Sequence, residues 1–393
     1  MLHRNKKEQD INEGKWIGVG GKFEPGETAA ECVVREVYEE TGLRLTSYEY
    51  VGMIKFVSDI YENEDMYLFR GTDYIGELKT DCNEGTLCWV DREKILDLPT
   101  WEGDRYFLRP MLDGCKNLNI TCCYEGDTLV KVEDKSEDVQ VDMSDIITSR
   151  HAFSTRIGGI SDREYSTLNL GMNRGDEQAR VTENWRRFFE KAGIDNIPFV
   201  CGKQVHGNTV HIATRSDARP AYGEGELIEA DGYVTKEANL PLAIFTADCV
   251  PLLLEDVNAG VVGAIHCGWR STVADIEGNA IDKMIELGAK AEDIRAAIGP
   301  AIDKCCFEVG EEVIEAVEKL IGAKEAAEYY DSKENGKYML DLRGVVACRL
   351  VRLGVAADNI EMVGGCTMCN PKRYFSHRYS NGSRGSLASV ISL

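Results

Sequence analysis

The sequence predicts a chain of two mixed α/β domains. Its 393 residues exceed what one hydrophobic core usually organises. Near its start, a glycine-rich turn precedes a charged helix and alternating strands, and from residue 147 onward runs rich in Val, Ile and Leu interleave with helical patterns. We therefore predict one domain at residues 1–114, a second at residues 149–393, and a connector or hairpin at residues 115–148.

Charge and composition limit the classes of partner. The 45 basic and 67 acidic residues give a formal net charge of −22, and no block of five or six basic residues occurs. Proteins that hold duplex nucleic acid or an anionic membrane need a positive surface, so we expect neither partner. No apolar run approaches the roughly 20 residues of a membrane helix, and the first ten residues lack the apolar centre of a secretory signal. We expect a cytoplasmic protein with reduced cysteines; the oligomeric state is left open.

The first candidate site is a helix that carries three carboxylates. Glycine and proline at 18–26 predict a tight loop, followed by a helix over 28–42 that ends at a glycine. Glu36, Glu39 and Glu40 lie at i, i+3 and i+4 and share one helix face. Such carboxylates repel one another unless a cation binds among them, and Mg²⁺ or Mn²⁺ takes carboxylate and phosphate oxygens. The pattern predicts a metal site for pyrophosphate chemistry, and the alternative is a solvated acidic face.

Residues 21–43 resemble a complete Nudix box. The resemblance implies a Nudix hydrolase that splits nucleoside di- or triphosphates, with Mg²⁺ or Mn²⁺ held by Glu36, Glu39 and Glu40. It also implies catalytic roles for Glu39 and Glu40, whereas the Arg35 and Glu27 positions orient the loop and the helix. The alternative is a non-catalytic nucleotide-binding module.

The phrases at 12–16, 84–85 and 101–105 are similar to the Nudix subgroup that cleans oxidised nucleoside triphosphates. The expected fold is the α/β/α sandwich of that family. Members usually begin with a strand and a turn before the segment equivalent to residues 2–4, so we expect this sandwich to lack its first strand.

The second candidate site combines histidines and a cysteine. Residues 250–254 and 261–265 have strand patterns and flank the turn residues 258–260, which predicts an antiparallel hairpin. A hairpin centred between residues 257 and 258 would place Cys249 opposite His266, with Cα atoms about 4.5 to 5.5 Å apart. With His206 as third ligand, the set has the three protein ligands and open position of catalytic zinc. The alternative is a core cysteine beside hydrogen-bonded histidines.

Phrases across the second half resemble one family, the laccase-domain family, which is also called peptidoglycan editing factor, YfiH-type or multicopper polyphenol oxidase. They are residues 153–159, 168–171, 204–207, 246–249, 266–270 and 305–309, with looser matches at 376–378 and 384–385. The resemblance implies an α/β/β/α layered domain and a Zn²⁺ enzyme of purine nucleosides, with metal ligands at His206, Cys249 and His266. Its expected reactions are phosphorolysis of adenosine, inosine and methylthioadenosine, and deamination of adenosine.

The histidine content argues against copper oxidase chemistry. A multicopper oxidase needs a trinuclear cluster and a blue copper, built largely from imidazoles and commonly displayed as His-x-His pairs. This chain has six histidines and no His-x-His. We therefore exclude laccase chemistry on ligand count.

The chemistry of further residues around the second site makes them candidates for catalysis or substrate binding. Cys249, His266 and Asp248 are the catalytic candidates, with Asp248 as a ligand-orienting group, an acid or base, or simply a hydrogen-bonding residue at a strand end. Candidates for phosphate or ribose binding, each with a structural alternative, are Arg156, Asn169, Lys203, Gln204 and Arg270. Cys366-x-x-Cys369 is a lone thiol pair, for which we favour two buried or half-buried cysteines over a redox pair.

The main hypothesis is a zinc-dependent purine nucleoside phosphorylase and adenosine deaminase fused to a Nudix nucleoside triphosphate pyrophosphohydrolase. Its expected small-molecule partners are purine nucleosides, phosphate and nucleoside di- or triphosphates. The alternative is a cysteine hydrolase of cell-wall peptides, with Cys249 as nucleophile and His266 or His206 as base.

Overall fold

The computed structural model describes residues 1–6, 10–79, 82–195, 197–221 and 227–393. These residues form two compact units, unit 1 at Met1–Asp138 and unit 2 at Val139–Leu393. The division at 138/139 differs in position from the predicted boundaries 1–114, 115–148 and 149–393, which stay a prediction. Among the described residues, no helix has the length and apolar character needed to cross a bilayer.

The described residues of unit 1 form two α-helices, two short 3-10 helices and two sheets. Its α-helices are α1 Ala29–Thr41 and α2 Arg105–Leu112. Its strands are β1 Leu2–His3, β2 Trp16–Ile17, β3 Arg44–Ser58, β4 Glu64–Ile75, β5 Thr86–Leu87, β6 Leu118–Glu125 and β7 Thr128–Asp134. One sheet has the order β2-β1-β5 and the other β4-β3-β6-β7, in which β3 and β6 are parallel. Strands β6 and β7 lie in the segment for which the sequence suggested a connector or hairpin, and they extend the sheet of unit 1 as an antiparallel pair.

Helix α1 begins and ends where its sequence signals predict. Thr28 caps the first turn by accepting from the backbone N–H of Glu31, whose side chain accepts from Thr28 in return. Gly42 ends the helix with φ +76°, the left-handed conformation that glycine adopts readily. The loop before the helix needs a glycine for a different reason, since a Cβ at Gly21 would lie 2.2 Å from the Glu36 carboxylate. The glycine turn therefore packs directly against the acidic face of α1.

In the part of unit 2 that the structure describes there are six α-helices, four short 3-10 helices and three sheets. Its α-helices are α3 Gln178–Ala192, α4 Trp269–Val273, α5 Ile276–Glu286, α6 Glu311–Ile321, α7 Ala323–Ala326 and α8 Leu342–Arg352. Its strands are β8 Val141–Asp142, β9 Arg150–Ser154, β10 Val210–Ile212, β11 Gly232–Thr235, β12 Leu242–Thr246, β13 Val250–Asp256, β14 Val261–Cys267, β15 Arg295–Ile298, β16 Glu308–Val309, β17 Tyr330–Ser332, β18 Tyr338–Leu340, β19 Ile360–Met362 and β20 Leu387–Ser392. The strand orders are β10-β11-β14-β13-β15-β19, β12-β20-β9-β8 and β16-β18-β17.

Four layers build the core of unit 2. The six-stranded and four-stranded sheets face each other through a buried cluster that includes Phe153, Ile244 and Leu253. Helices α5, α6 and α8 cover the other face of the six-stranded sheet. Helix α3 covers the outer face of the four-stranded sheet with Trp185 and Phe188. This α/β/β/α arrangement confirms the mixed α/β fold class predicted for this half.

The predicted hairpin forms, but its predicted register is wrong. Strands β13 and β14 pair antiparallel with Pro251 opposite His266 and Asp256 opposite Val261. The connecting loop therefore has four residues, 257–260, and its centre lies one residue later than we placed it. Cys249 lies two positions before the true partner of His266. Because side chains alternate with a period of two, Cys249 and His266 still belong to the same face of the hairpin.

We expect the stability of unit 1 to depend on pH because of the buried carboxyl of Asp104. This carboxyl accepts from the backbone N–H of Trp101 at 3.2 Å, and burial raises its pKa from 3.8 to about 7 against the opposing charge of Lys15. The folded unit holds this proton up to about pH 7, whereas the unfolded chain releases it near pH 4. The stabilisation by the protonated form is complete below pH 4 and is lost as the pH rises through 7.

The unfolding free energy of wild-type unit 1 should therefore fall between pH 5 and pH 8. In Asp104→Asn this fall should be smaller, by on the order of 2 kcal/mol. Urea titrations of the full chain, followed by hydrogen exchange of β6, measure this difference. Asp97→Asn, at an exposed position of the same unit, is the matched control. Equal pH slopes in the wild type and the Asp104 variant would contradict the expectation.

Candidate functional site

Two histidines and one cysteine meet at the open end of the β13–β14 hairpin. The ligand atoms of His206, Cys249 and His266 all lie within 4.8 Å of one another. Cys249 Sγ is 3.8 Å from His206 Nε2, and the two imidazole rings cross at 83° with centroids 4.9 Å apart. The structure thus brings together the three residues for which the sequence suggested a zinc site, hereafter the His-Cys-His cluster.

Unusual backbone conformations allow these side chains to converge. Gly268 follows β14, and a Cβ there would lie 2.9 Å from His206 Cδ2 and 3.5 Å from Cys249 Sγ. His206 has φ +60° and Asp248 has φ +96°, both in the left-handed region that non-glycine residues avoid. Such strained residues persist only where their surroundings hold them in place. The surroundings of His206 therefore need to supply strong contacts.

Asp231, which the sequence analysis missed, supplies these contacts. It precedes β11 and is fully buried. Its carboxylate accepts from the backbone N–H groups of Val205, His206 and Gly207 at 2.8 to 3.0 Å. Successive N–H groups around one acceptor form an anion-binding nest. The nest stabilises the left-handed backbone of His206.

The same carboxylate orients His266. Asp231 Oδ1 lies 2.8 Å from His266 Nδ1, and because an ionised carboxylate only accepts, Nδ1 carries the proton. His266 Nε2 is thereby left with its lone pair for the cluster. An acidic residue at the start of the apolar strand 232–235 was the available sequence signal, since a buried charge needs partners. Its partners, the N–H groups of residues 205–207 and the ring of His266, lie far from residue 231 in the sequence. No local sequence pattern therefore identifies them.

The His-Cys-His cluster polarises its own thiol. Although burial opposes it, His266 and a hydrogen bond from His206 lower the pKa of Cys249 to about 6. Burial likewise opposes protonation of His266, but Cys249 and Asp231 raise the pKa of His266 to about 9. The thiolate form that binds metals or acts as a nucleophile is therefore favoured at neutral pH.

Two of the predicted substrate-binding residues are engaged in internal hydrogen bonds. The Arg156 guanidinium donates to the backbone oxygens of Ser166, at 2.6 and 2.8 Å, and of Pro371, at 2.9 Å. Asn169 is fully buried, and its Oδ1 accepts from the backbone N–H of Ser386 at 2.9 Å. These contacts favour the structural alternative for both residues.

Lys203 and Gln204 precede the His206 loop and make different contacts. The Lys203 ammonium is exposed and lies 2.6 Å from Glu229 Oε1. Gln204 makes two hydrogen bonds of 2.7 Å with the backbone N–H and oxygen of Phe245 in β12. Gln204 therefore aligns the loop with the strand that leads toward Cys249.

Arg270 and Arg384 are two candidates for binding an anionic ligand near the cluster. Arg270 is exposed, with its guanidinium carbon 4.4 Å from the Trp269 ring centroid. Arg384, from a loosely matching C-terminal phrase, interacts electrostatically with Asp248 and Cys249. Its Nε is buried without a hydrogen-bond partner among the described residues. An anion at this place would satisfy that donor.

Asp248 links three segments of the chain. Its Oδ1 accepts from the Thr367 hydroxyl and its Oδ2 from the backbone N–H of Arg378, each at 2.7 Å. Of the three roles that the sequence left open, these contacts favour hydrogen bonding at a strand end. Asp248 thereby positions the residue next to it, Cys249.

In unit 1, Arg35 holds the predicted metal ligands in a network. It lies 2.8 Å from carboxylate oxygens of both Glu27 and Glu36 and 3.2 Å from Glu39. Its hydrogen bonds lower the pKa of Glu27 to about 2. Within the described ranges, Glu36, Glu39 and Glu40 do not converge to within 4.8 Å as a set. The structure therefore places them on one helix face, with two of them paired to Arg35.

Glu40 has a different environment from its neighbours. Burial, together with the charges of Glu84 and Glu36, raises its pKa to about 7. Its Oε2 is buried with no hydrogen-bond partner among the described residues. A cation beside this oxygen would remove both the repulsion and the unsatisfied acceptor.

Comparison with known proteins gives two matches along the chain. Residues 150–393 match the family described as multi-copper polyphenol oxidoreductase laccase, and residues 1–111 match the NUDIX domain. The chain is similar to purine nucleoside phosphorylase YlmD of Geobacillus stearothermophilus, with 33% identity over 247 residues, 61% of this chain and 88% of that protein. It is also similar to adenosine deaminase RL5 of an unknown prokaryotic organism, with 34% identity over 252 residues, 61% of this chain and 92% of that protein.

Solved structures agree with the match of the second half of the chain. The crystal structure of YlmD from Geobacillus stearothermophilus has a TM-score of 0.61 at 29% identity and aligns with 65% of this chain and 97% of its own. That of Bacillus licheniformis hypothetical protein YfiH has a TM-score of 0.59 at 32% identity, over 62% of this chain and 92% of its own. The chain therefore belongs to the multi-copper polyphenol oxidoreductase laccase family and carries a NUDIX domain at its N-terminus.

Proposed function

We propose that unit 2 is a zinc-dependent purine nucleoside phosphorylase that also deaminates adenosine. Relatives named for each of these two activities are about one third identical to this half of the chain. The observation that carries the proposal is the His-Cys-His cluster with Asp231 behind it. Adenosine, inosine and methylthioadenosine are the proposed nucleosides, with phosphate as the second substrate. A cytoplasmic location stays a prediction.

The chemistry of the donor set fits zinc. His206, Cys249 and His266 provide two imidazole nitrogens and one sulfur within 4.8 Å, the ligand types and number of a catalytic zinc site with an open position. The carboxylate of Asp231 at His266 Nδ1 is the supporting contact that metal-binding histidines usually have. When bound, zinc supplies a Lewis acid that makes an attacking water more acidic at neutral pH. With two histidines in the cluster and six in the whole chain, the ligands for copper oxidase chemistry are too few.

Side chains near the cluster can bind the phosphate. Arg270 is exposed and Arg384 has an unsatisfied Nε–H, and guanidinium groups match phosphate oxygens well. Asp248 holds the segments of Thr367 and Arg378 beside Cys249. We assign Arg270 and Arg384 to anion binding and Asp248 to positioning. Arg156, Asn169 and Gln204 shape the surrounding loops through their internal hydrogen bonds.

For unit 1 we propose a Mg²⁺- or Mn²⁺-dependent Nudix hydrolase of nucleoside triphosphates. The unsatisfied Oε2 of Glu40 and the charges of Glu36 and Glu84 around it fit a hard cation. Glu36 and Glu39, which pair with Arg35 in this structure, are the other two proposed ligands, and binding of the cation requires them to leave Arg35. When bound, the metal offsets the charge of the substrate phosphates. Glu39 and Glu40 are the proposed catalytic carboxylates.

A second candidate function for unit 2 follows from the order of contacts Cys249, His266, Asp231. A thiol, an imidazole and a carboxylate in sequence resemble the arrangement of cysteine hydrolases. This geometry supports a thiol-dependent hydrolase, such as one of cell-wall peptides, that needs no metal. Metal dependence separates the two candidates.

The test is adenosine turnover with and without phosphate, resolving adenine, inosine and hypoxanthine, before and after zinc removal by a chelator. Cys249→Ala should reduce zinc binding at the cluster and abolish both phosphorolysis and deamination. Cys267→Ala is the matched control, because Cys267 is fully buried on the opposite strand face in the helix-covered core. Full activity of chelated wild-type protein, or full zinc content and turnover in Cys249→Ala, would overturn the proposal.

Asp231→Asn should weaken zinc binding at the cluster by about 10- to 100-fold. The amide offers one acceptor oxygen instead of two, so the three N–H groups of residues 205–207 and His266 can no longer all be satisfied. Competition with a chromophoric chelator measures the zinc affinity independently of activity. Asp217→Asn is the matched control, because Asp217 also pairs with a histidine, His211 at 3.2 Å. Equal affinity in the two variants would show that Asp231 does not position the ligands.

Glu40→Gln and Glu39→Gln should each lower Mg²⁺-dependent hydrolysis of a nucleoside triphosphate panel by at least about 100-fold, and leave adenosine phosphorolysis within error. The reason is that the two sites lie in separate units with separate metals. Glu31→Gln on the same helix is the control, since glutamine preserves the capping box with Thr28. Parallel loss of both activities would refute the independence of the sites. Wild-type inactivity on the whole panel would favour a non-catalytic nucleotide-binding module.

A further inference from the structure

Four cysteines of unit 2 form a second group of soft ligands. The sulfur atoms of Cys305, Cys306, Cys366 and Cys369 all lie within 4.8 Å of one another. Cys369 Sγ is 3.5 Å from Cys305 Sγ and 3.3 Å from Cys306 Sγ. These four residues, hereafter the cysteine cluster, share no member with the His-Cys-His cluster.

Two turns bring the sulfurs together. Cys306 lies in a turn closed by its N–H to the backbone oxygen of Asp303 at 2.9 Å, and Cys366 begins a turn closed by the N–H of Asn370 at 3.2 Å. The backbone N–H of Asp303 points from the first turn to Cys366 Sγ in the second, at 3.5 Å. Such N–H to sulfur contacts stabilise negative charge on the sulfur. The turns therefore present the sulfurs to one shared point.

A disulfide does not account for this arrangement. A disulfide joins two sulfurs at about 2.05 Å, whereas Cys306 Sγ and Cys369 Sγ are 3.3 Å apart and all four cysteines are free thiols. In a tetrahedral zinc site with bonds of about 2.3 Å, neighbouring sulfurs lie about 3.8 Å apart. The distances in the cysteine cluster, from 3.3 to at most 4.8 Å, span this value.

We propose that the cysteine cluster binds a second zinc ion as a closed tetrathiolate site. The four thiols release their protons to water as four Zn–S bonds form, so the site has no open position and its role is structural. Burial of Cys366 and exposure of Cys305 and Cys369 give the ion a path of entry from solvent.

This second ion would stabilise the floor of the proposed active site. Thr367 follows Cys366 directly, and its hydroxyl donates to Asp248 Oδ1 at 2.7 Å. Its backbone N–H donates to Ala301 in the segment that leads to Cys305, at 2.9 Å. Asp248 precedes Cys249, so the link between the two metal groups runs through two residues.

The test is zinc content and zinc coordination of the full chain in the Cys249→Ala background, which removes a ligand of the other cluster. Wild-type protein purified with zinc and freed of excess metal should contain about two zinc ions per chain, and Cys249→Ala about one. X-ray absorption of the Cys249→Ala protein should give four sulfur neighbours at about 2.3 Å and no imidazole signal. Adding Cys366→Ser and Cys369→Ser should remove this remaining ion, whereas adding Cys115→Ser, at an exposed free cysteine of unit 1, should retain it.

The proposal is overturned if folded Cys249→Ala protein holds no zinc, or if its zinc has nitrogen or oxygen neighbours in place of four sulfurs. An intact mass showing a disulfide between the two turns in zinc-supplied protein would also overturn it. Because these readouts use a variant without the nucleoside site, they are independent of the proposed phosphorylase. Loss of adenosine turnover with four-sulfur zinc retained would support the cysteine cluster whatever the fate of the catalytic proposal.

Discussion

The carboxylate of Asp231 is the acceptor on which the His-Cys-His cluster depends. One buried group satisfies three successive N–H donors of the His206 loop and the Nδ1 proton of His266. An uncompensated carboxylate in the interior would cost several kcal/mol, so the loop and the strand must both reach it for the fold to be stable. The energy that offsets this burial also holds His206 at a positive φ. The contacts that allow Asp231 to be buried in the core are therefore the same contacts that assemble the site.

The alternation of side chains along β14 places neighbouring residues in different environments. Neighbouring residues of β14 point to opposite faces, so His266 faces the space between the two sheets while Cys267 enters the helix-covered core. The pKa of Cys267 is raised well above its ordinary value by burial and by Glu277, whereas that of Cys249 is lowered. The alternation of the strand thus places the two thiols in different surroundings, and these surroundings shift their pKa values in opposite directions.

Sequence patterns predicted the helix ends and the turns, because these features depend on residues that are close together in the chain. The loop signals before residue 28 and the glycine at Gly42 located both ends of helix α1 to within one residue, and turn residues located the β13–β14 hairpin. The predicted register was wrong by two residues, because Pro251 and not Cys249 is the partner of His266. Cys249 and His266 nevertheless share one face of the hairpin, because a shift of two residues preserves the face. Asp231, the hydrogen bonds of Arg156 and Asn169, and the meeting of Cys305 and Cys306 with Cys369 arise between distant segments. No spacing in the sequence encodes them, and they needed the folded chain.

The place of β20 in its sheet has a consequence for synthesis of the protein on the ribosome. Strand β20, residues 387–392, lies between β12 and β9. Among the described strands of that sheet, β12 therefore has no partner, and β9 has only β8, until β20 emerges from the ribosome. Unit 1 is a compact unit that ends at Asp138, and domains generally fold as units, the N-terminal one first during synthesis. Unit 2 must wait with its β9 and β12 edges unpaired, which exposes them to aggregation during that interval. The time taken to translate the last strand therefore bears on the yield of folded protein.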